Sequence, residues 1–228
     1  KYMIPGGAVL LLIIVGGFVF LREVLDQRVK QPSDLAGMGG ARLLGVIPDI
    51  ADDPSGPKAA EMVVLNDPGS MTAEMFRQAS AALRKAVDAG GFRSVAVLAA
   101  HPGAVMGCDP DAPGLGDMLT GTAVEPQDSH GIHVYGAGTP GSRVFERLSG
   151  DEVRRAIQRL REKHQVVIVD LPPTLVAGES IVLADCCDSA VLVVRAMQDQ
   201  RGLVAKTVGQ VHETHAALLG TVLMRPQQ

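Results

Sequence analysis

The residues best placed to do chemistry lie between Ser94 and Asp117, in SVAVLAAHPGAVMGCDPDAPGLGD, and around Asp170, in QVVIVDLPPT. In the first stretch an apolar run meets a turn at Pro102 and Gly103, the arrangement that leads into a glycine-rich phosphate loop. Such a loop needs four residues between its glycines, then Lys and Ser or Thr. Its backbone N–H groups cradle phosphates, the lysine meets their charge and the hydroxyl holds Mg²⁺. Here GAVMGCD leaves three residues between Gly103 and Gly107, and Cys108 and Asp109 follow. The match fails at the cation and at the hydroxyl. Asp170 ends an apolar run rich in Val and precedes Pro172 and Pro173, so its ordinary role is to cap the turn that the prolines shape.

Other constellations carry less. His212 and His215 flank Glu213 at a spacing that places both histidines on one side of a helix and can bind a metal, but no second ligand cluster accompanies them. His101 falls at a loop tip, where a turn histidine is the plain reading. His130 and His133 flank a glycine with no nucleophile beside them. No Gly-x-Ser-x-Gly elbow and no Cys-His arrangement supports hydrolase chemistry. Cys186 and Cys187, in LADCCDSAVLVV, read as small core residues, and three cysteines make no disulfide framework. The run EVRRAIQRLREKH reads as a charged helix face.

The balance of 21 Lys+Arg against 25 Asp+Glu leaves no basic surface to announce nucleic acid. Without Trp and with only Tyr2 and Tyr135, the chain also lacks platforms for base stacking. It starts at Lys1 rather than Met and so reads as the C-terminal part of something longer. From Met3 to Leu21 no charge interrupts nineteen residues, which predicts a transmembrane helix over 1–21. A signal peptide would have a shorter apolar core and end at a small-residue cleavage site, whereas REVLDQRVK follows directly. Arg22, Arg28 and Lys30 just after the helix put the rest on the cytoplasmic side of the membrane.

The elements that must position these residues follow. LREVLDQRVKQPSDL predicts a helix leaving the membrane and stopping before Pro32. LLGVIPDI (43–50) predicts a short buried strand. The Pro-, Gly- and Asp-rich segment 51–70 reads as a linker, so that 22–69 forms a juxtamembrane segment and 70–228 the α/β domain. SMTAEMFRQASAALRKAV predicts an amphipathic helix capped by Ser70. Strands are expected at SVAVLAA, at GIHVYGAG, at QVVIVDLPPT (buried on both faces), at SAVLVVRA and at ALLGTVLMRP. Helices are expected at 150–164, across GESIVLADCCD and at 201–216. Strands alternating with helices imply a mostly parallel sheet flanked by helices, with ligands beyond the C-terminal ends of the strands. The tips to watch are 100–103, 136–138 and 170–174.

In order along the chain, MTAEMFRQASAALRKA, FRSVAVLAAHPG, DPDAPGLGDMLTG, HVYGAG and VVIVDLPPTLVAGESIVLADCCDSAVLVVRAMQDQRGLVAKTV resemble the bacterial tyrosine kinases of capsule and exopolysaccharide export, relatives of the MinD/ParA branch of P-loop ATPases. The apolar helix with LDQRVKQPSDL and ARLLGVIP resembles the end of the polysaccharide co-polymerase domain often fused to them. The resemblance implies a P-loop NTPase-like fold, ATP and Mg²⁺ as cofactors, oligomers, and partners among polysaccharide export or polymerase proteins at the membrane. It places Asp170 at the Walker B position, as a metal ligand. It places Asp109 at the second of two acidic positions and Gly107 at the first, so one carboxylate is missing. Pro102 and Gly103 stand where the phosphate loop begins. A parallel strand pair needs a crossover of about a dozen residues or more, so either a helix and a strand are lost between His101 and Gly107 or this segment is a loop. The family's oligomerisation pattern Glu-x-x-Arg-x-x-Arg is met by Glu74 and Arg77, with Ser80 at the third position, and no tyrosine-rich tail follows. The expectation is a phosphate site whose scaffold remains while its chemistry is gone: a pseudokinase-like scaffold or regulator. The alternative is a divergent ATP-dependent tyrosine kinase or ATPase using Asp109 and Asp170.

Overall fold

In the computed structural model, residues 14–18, 20–22, 24–38, 41–57, 62–99, 113–119, 121–129, 131–138, 150–172 and 179–225 are described. The elements are α1 (Pro32–Ala36), β1 (Leu43–Ile47), a 3-10 turn (Ile50–Asp52), α2 (Val63–Asn66), α3 (Met71–Gly90), β2 (Ser94–Ala99) and α4 (Leu115–Leu119). They continue as β3 (Gln127–Ser129), β4 (Ile132–Val134), α5 (Gly150–Lys163), β5 (Val167–Asp170), α6 (Glu179–Asp185), β6 (Ser189–Arg195), α7 (Arg201–His212) and β7 (Ala217–Met224). Five strands form one sheet in the order β1-β7-β6-β2-β5, and every neighbouring pair is parallel. The α/β class expected from the alternation is the class found.

Strand side chains alternate between faces, and each face has its own cover. Ala96 and Leu98 of β2 and Ala190, Leu192 and Val194 of β6 pack with Val153 and Ile157 of α5, Leu183 of α6, and Val204, Val208 and Val211 of α7. On the opposite face Val95, Val191 and Leu44 meet Val87, Ala82 and Leu83 of α3. Each such Leu, Ile or Val contributes about 1.5–3 kcal/mol by leaving water. The helix α3 starts where the sequence placed it: the Ser70 hydroxyl accepts the amide of Ala73, and Gly91 closes the helix at φ 65°. Gly45 lets α3 lie flat on β1, since a Cβ there would stand 2.6 Å from the Cβ of Ala79.

The sheet does not respect the boundary expected at Ser70. Strand β1 pairs with β7, and Val29 and Leu35 lie in the same core as β6 and α7. Nor is the segment 51–70 a loose linker in its described parts. Asp53 is buried, and its carboxylate accepts the hydroxyl of Ser55 at 2.6 Å and the amide of Thr72 at 2.6 Å, which ties it to the first turn of α3. The Ser55 hydroxyl and the Thr72 amide hold its pKa well below the usual carboxylate range.

The helix expected to run to Pro32 stops earlier. Helical residues end at Leu25, and Pro32 instead opens α1, in the first-turn position where a missing N–H costs nothing. Between them the chain is clipped to the β6–α7 connection: Arg201 N donates to Gln27 O, Val29 N to Asp199 O and Met197 N to Val29 O, at 2.7–2.8 Å. Of the transmembrane helix expected over 1–21, residues 14–18 and 20–21 are described and helical, and the rest lie outside the described residues. Among the described residues no helix is long and apolar enough to cross a membrane.

Two further expectations are corrected. The segment 131–138 does not join the parallel sheet: β4 pairs antiparallel with β3, and only Gly136 reaches across, bridging Gly114. Strand β5 is not buried on both faces. Among the described residues it is the outermost strand, and Ile168 is 65 % exposed while its register partner Val95, one strand inward, is 2 % exposed. Helix α3 covers β2 on that face, and among the described residues none covers β5 there.

Candidate functional site at the strand tips

In a parallel α/β sheet the chemistry sits where the strands end. Asp170 is there, at the last position of β5 and in register with Val97 of β2. Its carboxyl is exposed, and the surrounding protein still removes enough water to raise its pKa above the ordinary aspartate value. No cation lowers it. Pro102, Gly103 and Asp109 lie outside the described residues, as do the tips 100–103 and 173–174.

The tip at 136–138 docks on the start of α4. Gly114 donates its amide to the Asp117 carboxylate at 2.9 Å, and the amides of Leu115 and Gly116 donate to the carbonyls of Gly136 and Ala137. A Cβ on Gly114 would collide with the Gly136 backbone, so PGLGD and YGAG dock by close backbone approach. That docking spends the amides at the start of α4 on protein carbonyls rather than leaving them for an anion. Two clefts lie along α5, one lined by Leu119, Gly121, Glu152, Arg155 and Arg159, and neither includes Asp170.

ATP and Mg²⁺, which the resemblance implies, were tested against the residues present. The sequence holds no lysine from residue 86 to residue 162, so none follows β2 to meet a phosphate. Among the described residues no three His, Cys, Asp or Glu gather as a metal cluster. A carboxyl held above its usual pKa, with no lysine after β2 and no second acid among the described residues, does not fit an Mg·ATP site of that kind.

The remaining polar groups have structural partners. His215 bonds through Nδ1 to Asp185 Oδ1 at 2.8 Å and donates its amide to the same oxygen, which holds Asp185 below the usual carboxylate range. His212 and His215 therefore do not form a joint ligand pair with Glu213; α7 ends at His212, short of the expected 216. Cys186 and Cys187 are buried and free, and burial pushes the Cys187 thiol up to about 12, which makes it inert. Glu74 and Arg77 bond to each other at 3.0 Å, and Arg77 also donates to the Pro68 carbonyl, while Ser80 is exposed beside them.

Sequence reasoning missed the strongest polar network, which stands at the opposite ends of the strands. Asp188 accepts the amides of Arg93 and Ser94 at 2.8 and 3.0 Å and the guanidinium of Arg161 at 2.9 Å, while its own amide donates to the Ser94 hydroxyl. Burial pushes its carboxyl up, but those bonds outweigh it and leave the pKa below the usual range. The available signal was an Asp directly before an apolar strand, in CCDSAVLVV. A second group joins Tyr135, whose hydroxyl lies 3.1 Å from His164 Nε2, with His133 edge-on to the same ring. Burial, and then the charge of Glu125, raises the pKa of Tyr135.

No family model and no curated protein matches the chain. Solved structures do. The BceF tyrosine kinase domain matches 87 % of this chain and 99 % of its own, with a TM-score of 0.72 and 18 % identity. The chimerical protein CapA2B2 matches at a TM-score of 0.68 with 18 % identity over 87 % of this chain and 100 % of its own. The kinase domain of Escherichia coli tyrosine kinase ETK matches at 0.66 with 17 % identity, over 88 % of this chain and 96 % of its own. The fold of the chain is therefore the fold of these tyrosine kinase domains, as the sequence resemblance implied.

Proposed function

We propose that this chain is a membrane-anchored, catalytically inert relative of the bacterial tyrosine kinases, which scaffolds or regulates exopolysaccharide chain length and export. One observation carries the reading. A chain with a tyrosine-kinase fold offers no lysine between α3 and the end of α5 and one described acid, Asp170, where a phosphate and metal site would need both. Catalysis of phosphoryl transfer is almost entirely positioning and charge stabilisation; without the cation nothing offsets the phosphate charge.

The helical residues before the sheet support anchoring. Ile14, Val15, Phe18, Phe20 and Leu21 are all exposed, a surface that water does not favour and a bilayer does. In this reading the α/β domain lies on the cytoplasmic face of the inner membrane and works by binding polysaccharide export or polymerase proteins, and copies of itself.

The test is calorimetric titration of Mg·ATP and Mg·ADP into the full chain in detergent, with thermal melting beside it. The expected result is no heat at about 500 µM nucleotide and no change in Tm. A surviving site would instead raise stability by about 2.7 kcal/mol at a hundredfold excess over its Kd. Low-micromolar binding overturns the scaffold reading, and ATP turnover abolished by Asp170→Ala would establish the alternative, a divergent ATP-dependent tyrosine kinase or ATPase.

A further inference from the structure

Among the described residues the outer edge of β5 is unpaired, and it points to a surface for association. Val167 N donates to Arg93 O and Leu171 N to Val97 O, so residues 167, 169 and 171 turn their backbone groups toward β2. By the alternation of a strand, residues 166, 168 and 170 turn theirs outward. Among the described residues no strand pairs with that side. Natural sheets blunt such an edge with lysine, proline or an inward charge. Here Val166 and Ile168 stand on it, 45 % and 65 % exposed, and an acid appears only at its last residue.

We propose that β5 pairs antiparallel with β5 of a second copy of this chain, about a two-fold axis that passes between the two Ile168 residues. A single two-fold axis requires an edge that complements itself, and this one does in two respects. Centring the pair on Ile168 sets 168 opposite 168 and 166 opposite 170, so every outward amide and carbonyl from 166 to 170 meets its counterpart. The charges agree as well. At the start of the strand Arg93, Arg161 and Lys163 outnumber Glu162 and Asp188, while its far end carries Asp170. Antiparallel pairing lays the acidic end of each copy beside the basic end of the other, whereas parallel pairing would set like ends together. The five-stranded sheets become one continuous sheet of twice that width, and the two Ile168 side chains cover each other on the face that α3 leaves bare. The contact is short, so the dimer is weak in solution; anchoring both copies in one membrane raises their effective concentration. The proposal is independent of whether nucleotide binds.

Because residue 168 meets itself, charge gives a distinctive test. The full chain in detergent micelles is examined by sedimentation up to about 100 µM, as the parent, as Ile168→Lys, as Ile168→Glu, and as an equal mixture of the two variants. Like charges directly opposed across strands repel and opposite charges attract; we therefore expect each variant alone to dimerise about tenfold or more weakly than the parent. The mixture should return to within about threefold of the parent. A parent that stays monomeric overturns the proposal. So does a dimer that both charged variants retain, which locates the association in the apolar helix or elsewhere. Loss in both variants that mixing does not repair also overturns it, since the strand then does not face its own copy.

Discussion

Asp188 and Asp170 stand at opposite ends of one parallel sheet, Asp188 just before β6 and Asp170 at the end of β5, both strands bordering β2, and their surroundings differ. Asp188 gathers two amides, a guanidinium and a serine hydroxyl at the entrance end of the strands. Asp170, at the exit end, has its pKa raised by lost water, and among the described residues no partner lowers it. In this class of fold the exit end is where ligands bind and the entrance end is free to serve stability. The chain has kept the second role intact while the carboxylate of the first stands without the lysine that a kinase site needs. Stability at one end and chemistry at the other can therefore vary independently, because the two ends share a sheet but not partners.

The comparison predicts a graded set of effects. Asp188→Ala should be the most damaging change, since it strips the acceptor from the Arg93 and Ser94 amides and from Arg161. Leaving such donors unsatisfied costs about 1–3 kcal/mol, and chemical denaturation measures it; a loss below about 0.5 kcal/mol would break the contrast between the two ends.

The pH dependence separates the two acids by sign. The folded pKa of Asp188 is depressed, so its contribution is complete above the unfolded value, about 3.9, and is lost as pH falls through the folded value. The gap in stability between the parent and Asp188→Ala should thus narrow below about pH 4. Asp170 runs the other way. Its folded pKa is raised, so whatever it contributes is present below the unfolded value and is lost as pH rises through the folded one.

The smallest effect follows from that. Asp170→Asn should leave the protein unchanged or stabilise it near neutral pH, by a few tenths of a kcal/mol at most because solvent screens an exposed group. Clear destabilisation by this substitution at pH 7, read from melting curves, would show that Asp170 is a bonded structural acid and not a stranded one.

The alternation of apolar strands with helices, the Ser70 cap and the buried β6 and β7 were legible because each rests on local pattern. The status of β5 was not. VVIV reads the same whether a strand is central or outermost, and only the order of strands, a long-range property, separates the two cases. The position of LLGVI was misjudged for a related reason. Its strand character was plain, but nothing in 43–47 reveals that its partner is β7, more than 170 residues away. Asp188 escaped notice because its partners, Arg93, Ser94 and Arg161, are scattered in sequence and meet only at the strand entrances. The departure of GAVMGCD from the phosphate-loop pattern is a matter of spacing and residue type, and those residues lie outside the described ones.

The clip between residues 27–29 and the β6–α7 connection has a mechanical consequence. A domain joined to an apolar helix by a slack leash would tumble freely and feel nothing of the helix's tilt. Here Val29 is wholly buried and its neighbours are bonded on both sides, so the first residues past the helical segment already belong to the rigid body. A displacement arriving at residue 25 would therefore meet the β6–α7 connection within a few residues, with no slack segment between. The chain is built as a handle fixed to its blade.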